Sequence, residues 1–180
     1  MGRLFLSGVG EGFSVVVSTI ISGADIPELV LDSVMQIFPD FQSKLPEKAT
    51  FPSSSNEIIA CDRVPLDTFL LKLHNQRILD TALDCMSLNL DTSGTVFHIS
   101  RQAALAGKVA FAIDDKEPIG GVITIEISGE GLEDWLEAAT WHEGRDYIPR
   151  KVRDDLSMDA SGEPTACLLY TSPSPRDLMR

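Results

Sequence analysis

The chain has 180 residues, a formal net charge of -12 and 43% hydrophobic residues. This size is enough for one domain with its own core, and the acidity argues against a broad nucleic-acid surface, because such surfaces are usually basic. No apolar run approaches the ~20 residues of a membrane-spanning helix, and glycines interrupt any signal-peptide core near the start. We therefore expect a cytoplasmic protein without membrane or DNA association.

The two ends of the chain differ from its middle. Residues 1–12 lack a clear period and are predicted to be an extension, residues 13–141 a single α+β domain, and residues 142–166 a charged C-terminal extension. Residues 167–180 resemble the translation of a sequencing adapter, which predicts metagenomic DNA as the source and a truncated native C-terminus. A genuine Ser/Pro-rich tail is the alternative.

The first half of the domain reads as strand, helix, strand. Residues 13–21 are rich in Val and Ile on both faces, which predicts a central strand. Apolar residues then recur at helical spacing from Ile26 to Phe38, with Ser22 or Asp25 as the cap and Pro39 as the stop. A Pro- and Ser-rich loop leads to a short strand at residues 57–61.

The helical region 65–88 changes its apolar face halfway along. Leu66, Phe69 and Leu73 share one face, whereas Ala82 and Cys85 lie almost opposite them. One straight helix cannot bury both faces. We therefore predict a break near His74, with Asn75 capping a second helix, and an outer-face pair between Arg77 and Asp80.

Three strands and a helix complete the prediction. The strands cover residues 94–100, 108–113 and 122–127, and the helix covers residues 131–139. The order β-α-β-α-α-β-β-β-α groups strands together, which predicts an α+β two-layer sandwich: a single, largely antiparallel sheet with helices packed on one face.

Residues 92–113 contain no Asp or Glu in this acidic chain. Either a buried sheet leaves little room for carboxylates there, or Arg101, Gln102 and Lys108 form a positive site for a phosphate backbone. Ordinary strand-end charges are the alternative for these residues. Arg145, in a basic stretch at residues 145–153, is a further candidate cation.

The sequence contains no local signature of a metal site, a redox site or a catalytic nucleophile. Cys61 and Cys85 have no metal-ligand or redox spacing and are typical of reduced thiols. The three histidines have no paired ligand spacing, so we expect no metal and no cofactor. No serine or cysteine has a recognisable neighbouring base, so we predict no catalytic residues and no enzyme activity.

Four sequence pieces in order carry a resemblance to a known family. They are IFPD at 37–40, QRILDTA at 76–82, FHISRQAALAGKVAF at 97–111 and PIG at 118–120. The chain resembles the archaeal uncharacterised protein family 0201, provisionally described as RNA-binding. The resemblance implies a cytosolic archaeal protein with a fold similar to that of the ribosomal protein that binds 5S rRNA.

We therefore expect a non-catalytic RNA-associated protein. Its predicted RNA contacts are Arg77, Arg101, Gln102, Lys108 and Arg145. The alternative is an acidic protein-protein interaction module that joins a larger complex through its helical face or sheet edge.

Overall fold

A computed structural model describes residues 6–113 and 117–154 of the protein. Within them, four strands form one antiparallel sheet in the order β2-β1-β4-β3. The strands are β1 (Ser14–Ile21), β2 (Glu57–Asp62), β3 (Gly94–Ser100) and β4 (Val122–Ser128). The helices are α1 (Pro27–Ile37), α2 (Asp67–Gln76), α3 (Leu79–Ser87), α4 (Arg101–Leu105) and α5 (Leu132–Ala139). The predicted α+β class is confirmed.

Apolar residues alternate with polar ones in β4. In β4, Ile123, Ile125 and Ile127 are at most 1% exposed, whereas Glu126 points to the opposite face. β1 lies between β2 and β4, as its apolar sequence predicts. One face of the sheet therefore carries the core, and the helices cover it.

The predicted break between two helices is confirmed, but it lies about three residues later. Asn75 remains inside α2, and Arg77 adopts a left-handed conformation with φ of 58°. The Ile78 amide donates to the Leu73 carbonyl at 3.2 Å, which is the closing bond of a Schellman motif. The Gln76 side chain keeps the last turn of α2 in place because it bonds both backbone groups of Val109.

The segment after β3 differs in detail from the prediction. Residues 101–105 form the short helix α4, which Ser100 caps at the Ala103 amide. The predicted strand at 108–113 approaches β3 but pairs through one bridge, Ile99 to Phe111. Its amides and carbonyls still meet those of β3 on both sides of this bridge, at 2.9 Å each.

A row of aromatic rings joins the layers beneath the sheet. Phe38 stacks on Phe69 at 5.7 Å between centroids, Phe69 on Phe97 at 6.0 Å, and Phe97 contacts Phe111 at 6.0 Å. Because Phe111 belongs to this row, core packing holds residues 108–113 in addition to their backbone bonds to β3.

Both predicted extensions contact the domain where the structure describes them. In residues 6–12, Glu11 accepts a hydrogen bond from the Trp135 indole at 3.1 Å. At the other end, Val152 is buried and its amide donates to Glu137 at 3.0 Å. The predicted adapter remnant at 167–180 lies outside the described residues. In the described ranges, every helix is too short or too polar to cross a membrane.

Candidate functional site

Arg101 lies inside the domain instead of facing a ligand. Its side chain is 8% exposed and donates to the Ile20 carbonyl at 2.7 Å and to Asp25 at 2.8 Å. A third bond goes to the Gly120 carbonyl. Each of the three guanidinium nitrogens therefore bonds a protein acceptor, and the group ties together β1, α4 and the turn before β4. The predicted RNA contact at Arg101 thus belongs to a buried side chain.

The surroundings of Arg101 favour this structural role. Burial alone would raise the pKa of Asp25, but the Ser22 amide and the Arg101 guanidinium outweigh burial and hold this pKa below its usual value. Gly121 has φ of 80°, and a Cβ there would collide with the guanidinium. The turn therefore needs glycine both for its conformation and for space.

Arg145 is also buried, at the opposite end of the helical layer. It donates to Asp80 at 3.1 Å, to the Glu137 carbonyl at 3.1 Å and to the Thr140 hydroxyl at 3.1 Å. This pairing replaces the predicted one between Arg77 and Asp80. Arg145, a further predicted RNA contact, is thus also a buried side chain with intramolecular partners.

Asp80 accepts hydrogen bonds from two side chains. Its second oxygen lies 3.0 Å from His142 Nε2. Burial alone would raise the pKa of Asp80, but hydrogen bonds from His142 and Arg145 lower it below the usual range. The link fixes the segment after α5 to α3.

Three further cations, Lys72, Arg77 and Lys108, lie on two segments that contact each other. Lys72 Nζ donates to the Gly107 carbonyl at 3.2 Å, and Gln76 bonds the amide of Val109 at 2.7 Å and its carbonyl at 2.9 Å. Lys108 is thus held between two contacts with α2, and Arg77 follows Gln76 in the chain. We call Lys72, Arg77 and Lys108 the basic cluster.

The basic cluster is free of ion pairs with the described carboxylates. Four salt bridges occur in ranges 6–113 and 117–154, and they use Arg101, Arg145, Arg150 and His142. Arg77 and Lys108 are exposed, and Lys72 is half-buried. These cations are therefore available to an anion.

Gln102 is exposed but lies on the other side of α4. It lines a groove with Arg101 and Gly120, away from the α2 contacts of Lys108. The five predicted contacts thus fall into three places. The missed member is Lys72, and the helical spacing from Lys72 to Gln76 could have indicated it, because the two share a face of α2.

Similar sequences come from archaea. A UPF0201 protein of Sulfurisphaera tokodaii is 33% identical over 117 residues, which cover 62% of this chain and 77% of that protein. A UPF0201 protein of Methanopyrus kandleri is 32% identical over 80 residues, and one of Saccharolobus solfataricus is 35% identical over 80 residues. These shorter matches cover 50% and 55% of the relatives.

Solved structures share the fold. The UPF0201 protein from Methanococcus jannaschii superposes with a TM-score of 0.61 at 21% identity, covering 73% of this chain and 96% of that one. A second UPF0201 crystal structure gives 0.57 at 21% identity, covering 69% and 90%. No family model matches the sequence. The extent of the Sulfurisphaera match nevertheless shows the family: this chain belongs to the UPF0201 proteins.

Proposed function

We propose that this protein binds RNA without catalysing a reaction, and that the basic cluster supplies its phosphate contacts. The observation that supports the proposal is the pair of hydrogen bonds between Gln76 and Val109, since they join the end of α2, which carries Lys72 and Arg77, to the segment that carries Lys108. The family resemblance implies a fold similar to that of a ribosomal RNA-binding protein, but fold by itself does not give function.

The distribution of charge explains how an acidic protein could bind RNA. The formal charge of -12 repels polyanions at long range, but salt screens that repulsion beyond about 8 Å at physiological ionic strength. Phosphate contacts with Lys72, Arg77 and Lys108 would form within that distance. The expected binding is weak and not specific for sequence, because phosphate contacts carry no base information.

The test is a titration of labelled single-stranded and hairpin RNA at 50 and 200 mM salt. Three phosphate contacts predict a log-log salt slope of about -2 on single strands, which makes binding about 20-fold weaker at the higher concentration. Removing all three cations, with Lys72→Ala, Arg77→Ala and Lys108→Ala, should abolish this dependence. A parent chain that binds neither RNA at 50 mM salt would refute the proposal.

A matched control separates the cluster from general charge. Lys48→Ala removes an exposed lysine from the loop between α1 and β2, and it should leave the affinity close to that of the parent. If Lys48→Ala weakens binding as much as Lys108→Ala, the contact is diffuse and the basic cluster is not the site.

A further inference from the structure

The last described part of the chain divides into a firmly held root and a segment beyond it. Arg145 anchors the root, because it is buried and donates to Asp80 and to the last turn of α5. Tyr147 and Ile148 come next and are 88% and 72% exposed. Beyond them the chain returns to the surface of α3 and α5, and we call residues 149–154 the strap.

Three side chains hold the strap against the two helices. Arg150 donates to Asp84 on α3, and Arg153 donates to a backbone carbonyl just after α3 at 2.6 Å. Val152 is 8% exposed, and its amide donates to the Glu137 carboxylate of α5 at 3.0 Å. The strap is therefore attached through one apolar side chain and two arginines.

Two features of the closed strap oppose its attachment. The Nε atom of Arg150 is buried without a hydrogen-bond partner among the described residues, and a buried donor without an acceptor is unfavourable because it has lost its water. Arg153 has φ of 67°, in the left-handed region that strains a residue with a Cβ. Opening relieves both features, so closure is favoured by less than its contacts alone suggest.

The ion pair of the strap is also accessible to solvent. The side chains of Arg150 and Asp84 are 28% and 31% exposed. Pairs as exposed as this one contribute little to stability, and salt weakens them further. The root differs, because Arg145 is buried and bonds three acceptors. Salt therefore acts mainly on the strap.

We propose that the strap is a salt-sensitive device that opens as a unit while the root and the rest of the domain stay folded. Opening frees Arg150 and Arg153 from their acceptors and uncovers Asp84 and Glu137, so a basic segment separates from an acidic surface of α3 and α5. Ionic strength thus sets which charges this part of the protein presents. The device goes beyond RNA binding and does not depend on it, because it uses no residue of the basic cluster.

Hydrogen exchange of single amides of the full chain, followed by NMR, tests the proposal. The Val152 amide reports on the strap through its bond to Glu137, and the Ile125 amide, in the middle of the sheet, reports on global unfolding. Each rate is divided by that of an unstructured peptide at the same salt concentration. Raising NaCl from about 50 to about 500 mM should speed exchange at Val152 about threefold, because the ion pair weakens.

The same salt should slow exchange at Ile125, because screening reduces self-repulsion in a folded chain of charge -12. The two amides are therefore expected to respond with opposite sign. Urea should also speed exchange steeply at Ile125 and only slightly at Val152, because opening the strap exposes little surface. A Val152 amide that does not exchange faster in salt, or that has the urea slope of Ile125, would overturn the proposal.

A variant of the α3 carboxylate locates the contact that controls opening. Asp84→Asn removes the charge that holds Arg150 but keeps a side chain of similar size, so exchange at Val152 should rise about threefold and respond less to salt. Asp32→Asn makes the same change of charge at an exposed position on α1 and should leave exchange at Val152 unchanged. Equal exchange at Val152 in the two variants would show that Asp84 does not hold the strap closed.

Discussion

Arg101 and Arg145 carry the same formal charge as Arg77, but they are buried and paired whereas Arg77 is exposed. From the sequence alone, each arginine is predicted to be an exposed cation, because charged side chains are seldom fully buried unless they are paired. The pairing depends on Asp25 and Asp80, which lie 76 and 65 residues away along the chain. Such distant partners leave no local pattern, so the burial of Arg101 and Arg145 could not be predicted.

Replacing Arg101 should be costly. Arg101→Ala removes the guanidinium donors of Asp25 and of two carbonyl groups, and breaking a buried pair of this kind costs about 3–5 kcal/mol in the free energy of unfolding. Arg101→Lys should recover only part of that loss, because an ammonium group lacks the planar fork that reaches three acceptors. Urea unfolding measures both values.

Lys108→Ala is the control for the Arg101 variants, since Lys108 is an exposed lysine seven residues away. Its free energy of unfolding should stay within about 0.5 kcal/mol of the parent. An Arg101→Ala protein as stable as Lys108→Ala would contradict the structural role given to the buried guanidinium.

At the level of elements, periodicity predicts what packing later confirms. The alternation in β4 predicts that strand, and the change of apolar face predicts two helices, although the break between α2 and α3 lies about three residues after its predicted position. The segment from Arg101 to Phe111 was harder, because α4 has only five residues and Phe111 is held by the aromatic row. Neither a single helical turn nor one bridge gives a readable period.

The turn between α2 and α3 allows a test that separates stability from binding. Arg77 has a left-handed backbone conformation, which strains a residue with a Cβ more than it strains glycine. Arg77→Gly should therefore raise the free energy of unfolding by about 0.5–1 kcal/mol. The same change removes a cation from the basic cluster and should weaken RNA binding. Thermal melting and the RNA titration give the two readouts.

Arg77→Ala is the matched control, because it removes the charge but keeps a Cβ in the left-handed conformation. It should weaken RNA binding as much as Arg77→Gly without raising the melting temperature. If both variants melt together, relief of backbone strain is not the cause of any stabilisation.

For the whole molecule, which has a formal charge of -12, a change of pH has two opposing effects on the free energy of unfolding. Lowering the pH from 7 towards the sequence pI of about 4.5 removes negative charge, and the reduced self-repulsion favours the folded state. Carboxylates that are paired in the folded protein act in the opposite direction. Asp25, Asp80 and Asp91 all have lowered pKa values, the last through hydrogen bonds from Ser93 and Gly94.

The sign of the second effect follows from linkage. A carboxyl group with a lowered folded-state pKa contributes stability above its unfolded pKa of about 3.9, and this stability is lost as the pH falls through the folded value. The urea midpoint should therefore stay level or rise from pH 7 to 5 and fall below about pH 4.

Asp80→Asn should have a lower midpoint at pH 7 and a smaller decrease in acid, because Arg145 and His142 have already lost their anionic partner. Asp32→Asn, at an exposed position on α1, should follow the parent curve. If Asp80→Asn and the parent lose equal stability between pH 5 and 2.5, the link between α3 and the segment after α5 does not control acid unfolding, and general charge accumulation does.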